Sequence, residues 1–154
     1  MSFENTEKYS STITDLSKLI YEHNTKVGWW DDLEKLRRLK DQILDSSNLT
    51  EDYKSEILND INKSINLIIT QKLALVHSEI SEALEGVRKD LKDDHLPQYD
   101  MFAVELADAI IRILELAGAF NIPIGNIMME KLEYNSKRAD HTRKHRSGTN
   151  GKKF

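Results

Sequence analysis

The sequence predicts an all-α fold with a four-helix-bundle core, and three observations carry that prediction. Apolar residues recur at intervals of three and four along most of the chain. No stretch alternates apolar and polar residues as a half-buried strand would. Only two prolines and six glycines punctuate 154 residues, too few for a β-sandwich, which needs a turn every ~8–12 residues. With 39% apolar and 31% charged residues, the helices should be amphipathic, and the chain is long enough to bury a core without disulfide or metal staples.

The elements come in order along the chain. Residues 1–11 read as a frayed start. Thr12 and Asp15 form a capping box, and Ile13, Leu16, Leu19, Ile20 and His23 then keep helical spacing until Gly28. Leu33, Leu36, Leu39 and Ile43 mark a second helix over about 32–45. Ser46, Ser47 and Asn48 make a turn, and Thr50 can cap the next helix. From Thr50 to about Leu91 a single rhythm runs through Ile57, Ile61, Ile65, Ile69, Leu73, Val76, Ile80, Leu84 and Val87. One helix of that length would span roughly 60 Å, so a break is expected between 62 and 70, where Asn62, Ser64, Asn66 and Thr70 weaken it. A loop at 93–97 precedes a strongly apolar helix over about 99–119. Asn121, Ile122 and Pro123 form the next joint, and a last helix covers about 123–138. Residues 1–138 thus read as one helical domain, with an extra helical segment near 32–66. Residues 139–154 read as a basic tail.

Charge and composition narrow the function classes. The tail holds five basic residues against one acidic, leaving a net −8 on the rest. An acidic body does not suit a binder of nucleic-acid polymers. The chain has no cysteine, no secretory h-region and no apolar run near the ~20 residues of a membrane span. The expectation is a cytoplasmic protein with no membrane partner.

Two acidic pairs carry the chemistry. On the helix of residues 65–91, the stripe Ile65, Ile69, Leu73, Val76, Ile80, Leu84 and Val87 is the expected core face. Glu79 lies ~100° from Ile80 on the helical wheel, and Glu82 about 60° further round, flanking that core. The helix of residues 99–119 is apolar nearly all round, which predicts burial, yet Glu105, Asp108, Arg112 and Glu115 form one charged strip. Carboxylates in such surroundings cost several kcal/mol unless paired or coordinated. Four carboxylate oxygens from two facing helices suit a hard divalent cation, Mg²⁺ or Mn²⁺. Either pair by itself also reads as a solvated face, and Asp108 with Arg112 as an i, i+4 ion pair. Trp29 and Trp30 are candidates to stack on a base. Trp29 is the one expected in the core; Trp30 stays between core and substrate and is carried as the substrate-side candidate. His23 and His77 read as packed histidines rather than ligands.

HSEISEALEG at 77–86, followed by ELADAIIRILELAG at 105–118, resembles the MazG-like all-α nucleoside triphosphate pyrophosphohydrolases, whose signature is E-x-x-E, a spacer, then E-x-x-D. GWWD at 28–31, KLEYNSKR at 131–138 and the closing GKKF at 151–154 also look like this group, particularly its phage-encoded members. The resemblance covers roughly 12–31 and 70–154. It departs at 32–66 and in the tail, RADHTRKHRSGTNGKKF, which replaces a shorter Arg-Pro-aromatic-x-His-Gly stretch. Both departures bear on substrate choice rather than on the metal site.

The resemblance implies cleavage of a nucleoside triphosphate between its α- and β-phosphates, with Mg²⁺ (or Mn²⁺) held by Glu79, Glu82, Glu105 and Asp108. Glu79 and Glu82 are then the catalytic pair, Glu82 as bridging ligand or general base. Arg112 joins the substrate-binding residues, as do Lys131, Asn135 and Arg138, which share one helical face that would otherwise read as solvated. Lys152 and Lys153 would swing onto the β- and γ-phosphates. A homo-oligomer, a dimer or larger, would bury the apolar excess of 99–119. The alternative is a non-catalytic helical module for nucleotide sensing or protein interaction. A di-iron bundle is disfavoured because no histidine follows an acidic residue at three positions' distance.

Overall fold

A computed structural model describes residues 5–138 and 147. The fold is all-α. Five helices follow one another among the described residues: α1 (Thr6–Lys26), α2 (Asp31–Asp45), α3 (Glu51–Lys89), α4 (Met101–Ala119) and α5 (Ile124–Lys137). Among the described residues the only β-type pairing is an isolated bridge between Lys92 and Asp100. No helix among the described residues is long and apolar enough to cross a membrane.

The α1–α2 junction forms where Gly28 takes φ +90°, a left-handed value that costs glycine little. Its amide donates to Thr25 O and that of Trp29 to Asn24 O, closing the helix end. Helix α1 begins at Thr6, earlier than the expected capping box at Thr12. The turn drops Trp30 into the core beside Leu33 and Ala119, with Tyr21, Ile65, Ile68, Leu116 and Phe120 around them. Tyr21 meets Trp30 edge-on at 5.5 Å. Its hydroxyl donates to Glu34, which also receives Arg37, and Arg37 reaches Ala119 O. One polar cluster thus ties α1 and α2 to the end of α4.

The expected break at 62–70 does not occur: α3 is one helix of 39 residues, about 58 Å long at ~1.5 Å per residue. Its polar residues there are absorbed rather than disruptive. Ser64 and Thr70 donate to the carbonyls of Asp60 and Asn66, and Asn62 accepts from Lys40 of α2. The 32–66 segment is therefore α2 and the first part of α3, packed against each other. Thr50 caps α3 as expected, accepting from the Tyr53 amide.

The orientation of α3 differs from the expectation. Its buried positions are Ile61, Lys72, Glu79, Ala83 and Gly86, while Leu73, Ile80, Leu84 and Val87 of the expected core stripe are exposed. The reason is close approach. A Cβ on Gly86 would lie 3.0 Å from Met101 Cβ and from the Phe102 amide nitrogen, so the small-residue face is the one α4 can reach. Helix α4 is likewise not buried all round: Leu106, Ile110 and Ile113 are exposed. In an antiparallel pair, rotating the same way round both helices leads to the same side. The two exposed stripes therefore form one apolar face along α3 and α4.

Helix α1 crosses α4 and α5 at glycines. A Cβ on Gly118 would sit 2.4 Å from Ser17 O, and one on Gly125 2.0 Å from Ser10 O. Helix α5 packs mainly on α1.

Candidate metal centre

Glu79 projects from α3 toward α4, where Glu105 and Asp108 lie one turn apart. One oxygen from each of these carboxylates lies within 4.8 Å of the others. Glu79 and Glu105 are buried and Asp108 half-buried. Glu82, one turn after Glu79, stands at the exposed rim and accepts from Ser78 at 3.0 Å. All four line a cavity of about 400 Å³. The two acidic pairs read in the sequence thus converge, three in a tight cluster and the fourth at its mouth.

The 90–100 loop adds groups that sequence reasoning missed. Asp93 and His95 line the same cavity. Asp93 is buried because its carboxylate accepts from the His95 and Leu96 amides at 2.9 and 2.6 Å. Its only trace in the sequence is the turn-forming D-D-H-L-P run.

The cluster is under electrostatic stress. Burial, a hydrogen bond with Glu79 and the charges of Glu82, Glu79 and Asp108 push the Glu105 carboxyl up to about 7. Asp108 is also raised, by burial and by Glu79, with Arg112 opposing. Arg112 Nε donates to Glu79 Oε1, so the one strip on α4 supplies both carboxylates and a counter-ion. The donor set fits a hard divalent cation: oxygen ligands only, crowded, buried and partly protonated without one.

The tryptophans exchange the expected roles. Trp30 is 1% exposed and lies in the core beside Leu33, because Gly28 turns it there, so it does not line the carboxylate cavity. Trp29 is 58% exposed. With Asn24, Asp108, Ile111, Arg112 and Glu115 it lines a second cavity of about 210 Å³. Glu115 is buried there, paired with Lys72 at 3.4 Å and accepting from Asn24. His23 and His77 are exposed rather than packed.

Lys131, Asn135 and Arg138 line neither cavity, since α5 docks on α1. Lys131 and Arg138 lie over the Tyr134 ring at 4.8 and 5.9 Å, and Asn135 Oδ1 is buried with no hydrogen-bond partner among the described residues. Lys152 and Lys153 lie outside the described residues, as does the basic tail apart from Ser147. The chain matches no protein-family model, no curated protein and no solved structure.

Proposed function

We propose that this protein is a metal-dependent nucleoside triphosphate pyrophosphohydrolase of the MazG-like kind. The observation that carries the proposal is the convergence of Glu79, Glu105 and Asp108 within 4.8 Å, with Glu82 at the rim, in E-x-x-E…E-x-x-D order. Glu79, Glu105 and Asp108 would hold Mg²⁺ or Mn²⁺, and Glu82 lines the same cavity. A bound divalent cation supplies charge neutralisation for phosphate oxygens and a more acidic water. Glu82, exposed at the mouth, would accept the proton of the water that attacks the α-phosphorus. The α–β phosphoanhydride P–O bond breaks, leaving a nucleoside monophosphate and pyrophosphate. Arg112 stands between both cavities and can steady phosphate oxygens if released from Glu79.

The exposed apolar face of α3 and α4 supports a homo-oligomer, since patches of this kind mark interaction sites. The Arg112–Glu79 pair favours the second reading, a non-catalytic helical module, because it satisfies one carboxylate without a cation. A panel of ribo- and deoxyribonucleoside triphosphates, incubated with Mg²⁺ or with chelator, separates the two. The enzyme reading expects pyrophosphate as first product, with Mg²⁺ only. Orthophosphate as first product, or no turnover of any member, overturns it.

A further inference from the structure

We propose that the cavity bounded by Trp29, Asn24 and Glu115 receives a nucleobase, and that the Glu115 carboxylate selects guanine. This deepens the pyrophosphohydrolase reading by assigning the base of its substrate, and rests on it for the placement of the phosphates.

Position comes first. The cavity shares Asp108 and Arg112 with the carboxylate cavity, so the two are neighbours. Its volume of about 210 Å³ is below the ~300–1,000 Å³ of pockets that enclose a whole drug-sized ligand. It suits one part of a nucleotide while the rest extends next door. Trp29 presents an exposed indole at its wall, a sequence-tolerant stacking surface for any base.

Selectivity comes from Glu115. Its residue is 2% exposed, and a carboxylate that deep needs compensation. Lys72 Nζ lies 3.4 Å from Oε1, and Asn24 Nδ2 donates to Oε2. Lys72 is itself held over the Trp30 ring at 4.2 Å and the Trp29 ring at 5.4 Å, which fixes the cation beside the carboxylate. An ionised carboxylate has about four acceptor positions. Two are taken, one on each oxygen, which leaves acceptor capacity on each oxygen. Guanine matches this pair with two adjacent donors, N1–H and N2–H. Adenine and cytosine present a donor beside an acceptor, and uracil and thymine a donor flanked by acceptors. Each of those would set an acceptor against a carboxylate oxygen.

The test uses uncharged nucleosides, so that the neighbouring carboxylates do not repel the probe. Guanosine, adenosine, cytidine and uridine are titrated into the full-length, metal-free protein by calorimetry or ligand-observed NMR. Guanosine should bind about tenfold or more tightly than the others, the discrimination of one good bidentate pair. Glu115→Gln offers a donor beside an acceptor, so it should lose the guanosine preference and gain adenosine or cytidine binding, a reversal that a merely structural ion pair would not produce. If leaving Lys72 unpaired unfolds that variant, Trp29→Ala carries the test: at an exposed position, it should weaken all four nucleosides several-fold and leave their ranking unchanged. Flat or absent nucleoside binding by the parent protein, a guanosine preference that survives in folded Glu115→Gln, or Trp29→Ala binding equal to the parent, overturns the proposal. Guanosine selectivity without triphosphate turnover would instead overturn the hydrolase reading alone.

Discussion

Raising the pH should destabilise the metal-free protein, and a divalent cation should cancel that trend. Glu105 is held at about 7 against an ordinary 4.5 by burial, its hydrogen bond with Glu79 and the carboxylates around it. Between those two values the folded state keeps a proton that the unfolded chain has released, so stability falls as pH rises. It is at its fullest below about 4.5 and is lost as pH climbs through about 7. At about 1.4 kcal/mol per pKa unit, the gap between 4.5 and about 7 sets a ceiling of about 3.5 kcal/mol. Sharing of the proton with Glu79 reduces the realised value. A domain of this length loses ~2–4 °C of melting temperature per kcal/mol, so a fall of several degrees is expected between about pH 5 and pH 8 in chelator. Millimolar Mg²⁺ replaces the proton and should raise the melting temperature most at the alkaline end. Calorimetry near neutral pH, in buffers of different ionisation enthalpy, should register the released proton. Glu105→Gln should flatten the pH dependence and abolish the Mg²⁺ shift. A chelated melting temperature that is level or rising across the window, or an unchanged slope in Glu105→Gln, would refute the reasoning.

Three further outcomes are expected. Glu82→Gln should cut pyrophosphate release by ~100-fold or more, as loss of one preorganised electrostatic group does; Glu85→Gln should be far milder, because Glu85 faces Arg88 and Lys89, and equal damage would place the chemistry on another face. Gly118→Ala should destabilise the fold by about 1–2 kcal/mol in urea titration: the helix propensity gain is ~1 kcal/mol, against a larger cost of driving a methyl group into the Ser17 carbonyl. The parent protein should elute as a dimer or larger by light scattering, and Ile110→Asp, at a position 56% exposed, should dissociate it; a monomeric parent at tens of micromolar concentration would remove the oligomer proposal.

Helix order was legible because the punctuation is local: Gly28 and the 46–48 turn follow helix ends, and the 93–97 loop and Pro123 fall between helices. The acidic quartet was legible because i, i+3 spacing puts each pair on one face whatever that face packs against. The direction in which α3 presents its faces was not. Assigning the apolar stripe to the core assumes that one chain buries its own apolar surface, whereas here Gly86, Ala83 and Glu79 take the inside and Leu84, 61% exposed, does not. Trp29 and Trp30 could not be told apart by pattern either, since the +90° turn at Gly28 that separates them is a property of the folded backbone. Asp93 looked like any loop residue; its burial depends on two amides that come round to it only when the turn closes.

On the proposed reading, the bond between Arg112 and Glu79 would make ion uptake a substitution. The guanidinium already lends the cluster one positive charge, so a visiting K⁺ or Na⁺ that displaced it would exchange like for like and still have to shed water. A divalent visitor brings one charge more than it evicts, and the freed guanidinium then faces the neighbouring cavity that it also lines. On the proposed reading the protein would thereby set a threshold on valence rather than on ionic size, and the arrival of a divalent ion would turn Arg112 from the carboxylates toward the adjacent chamber.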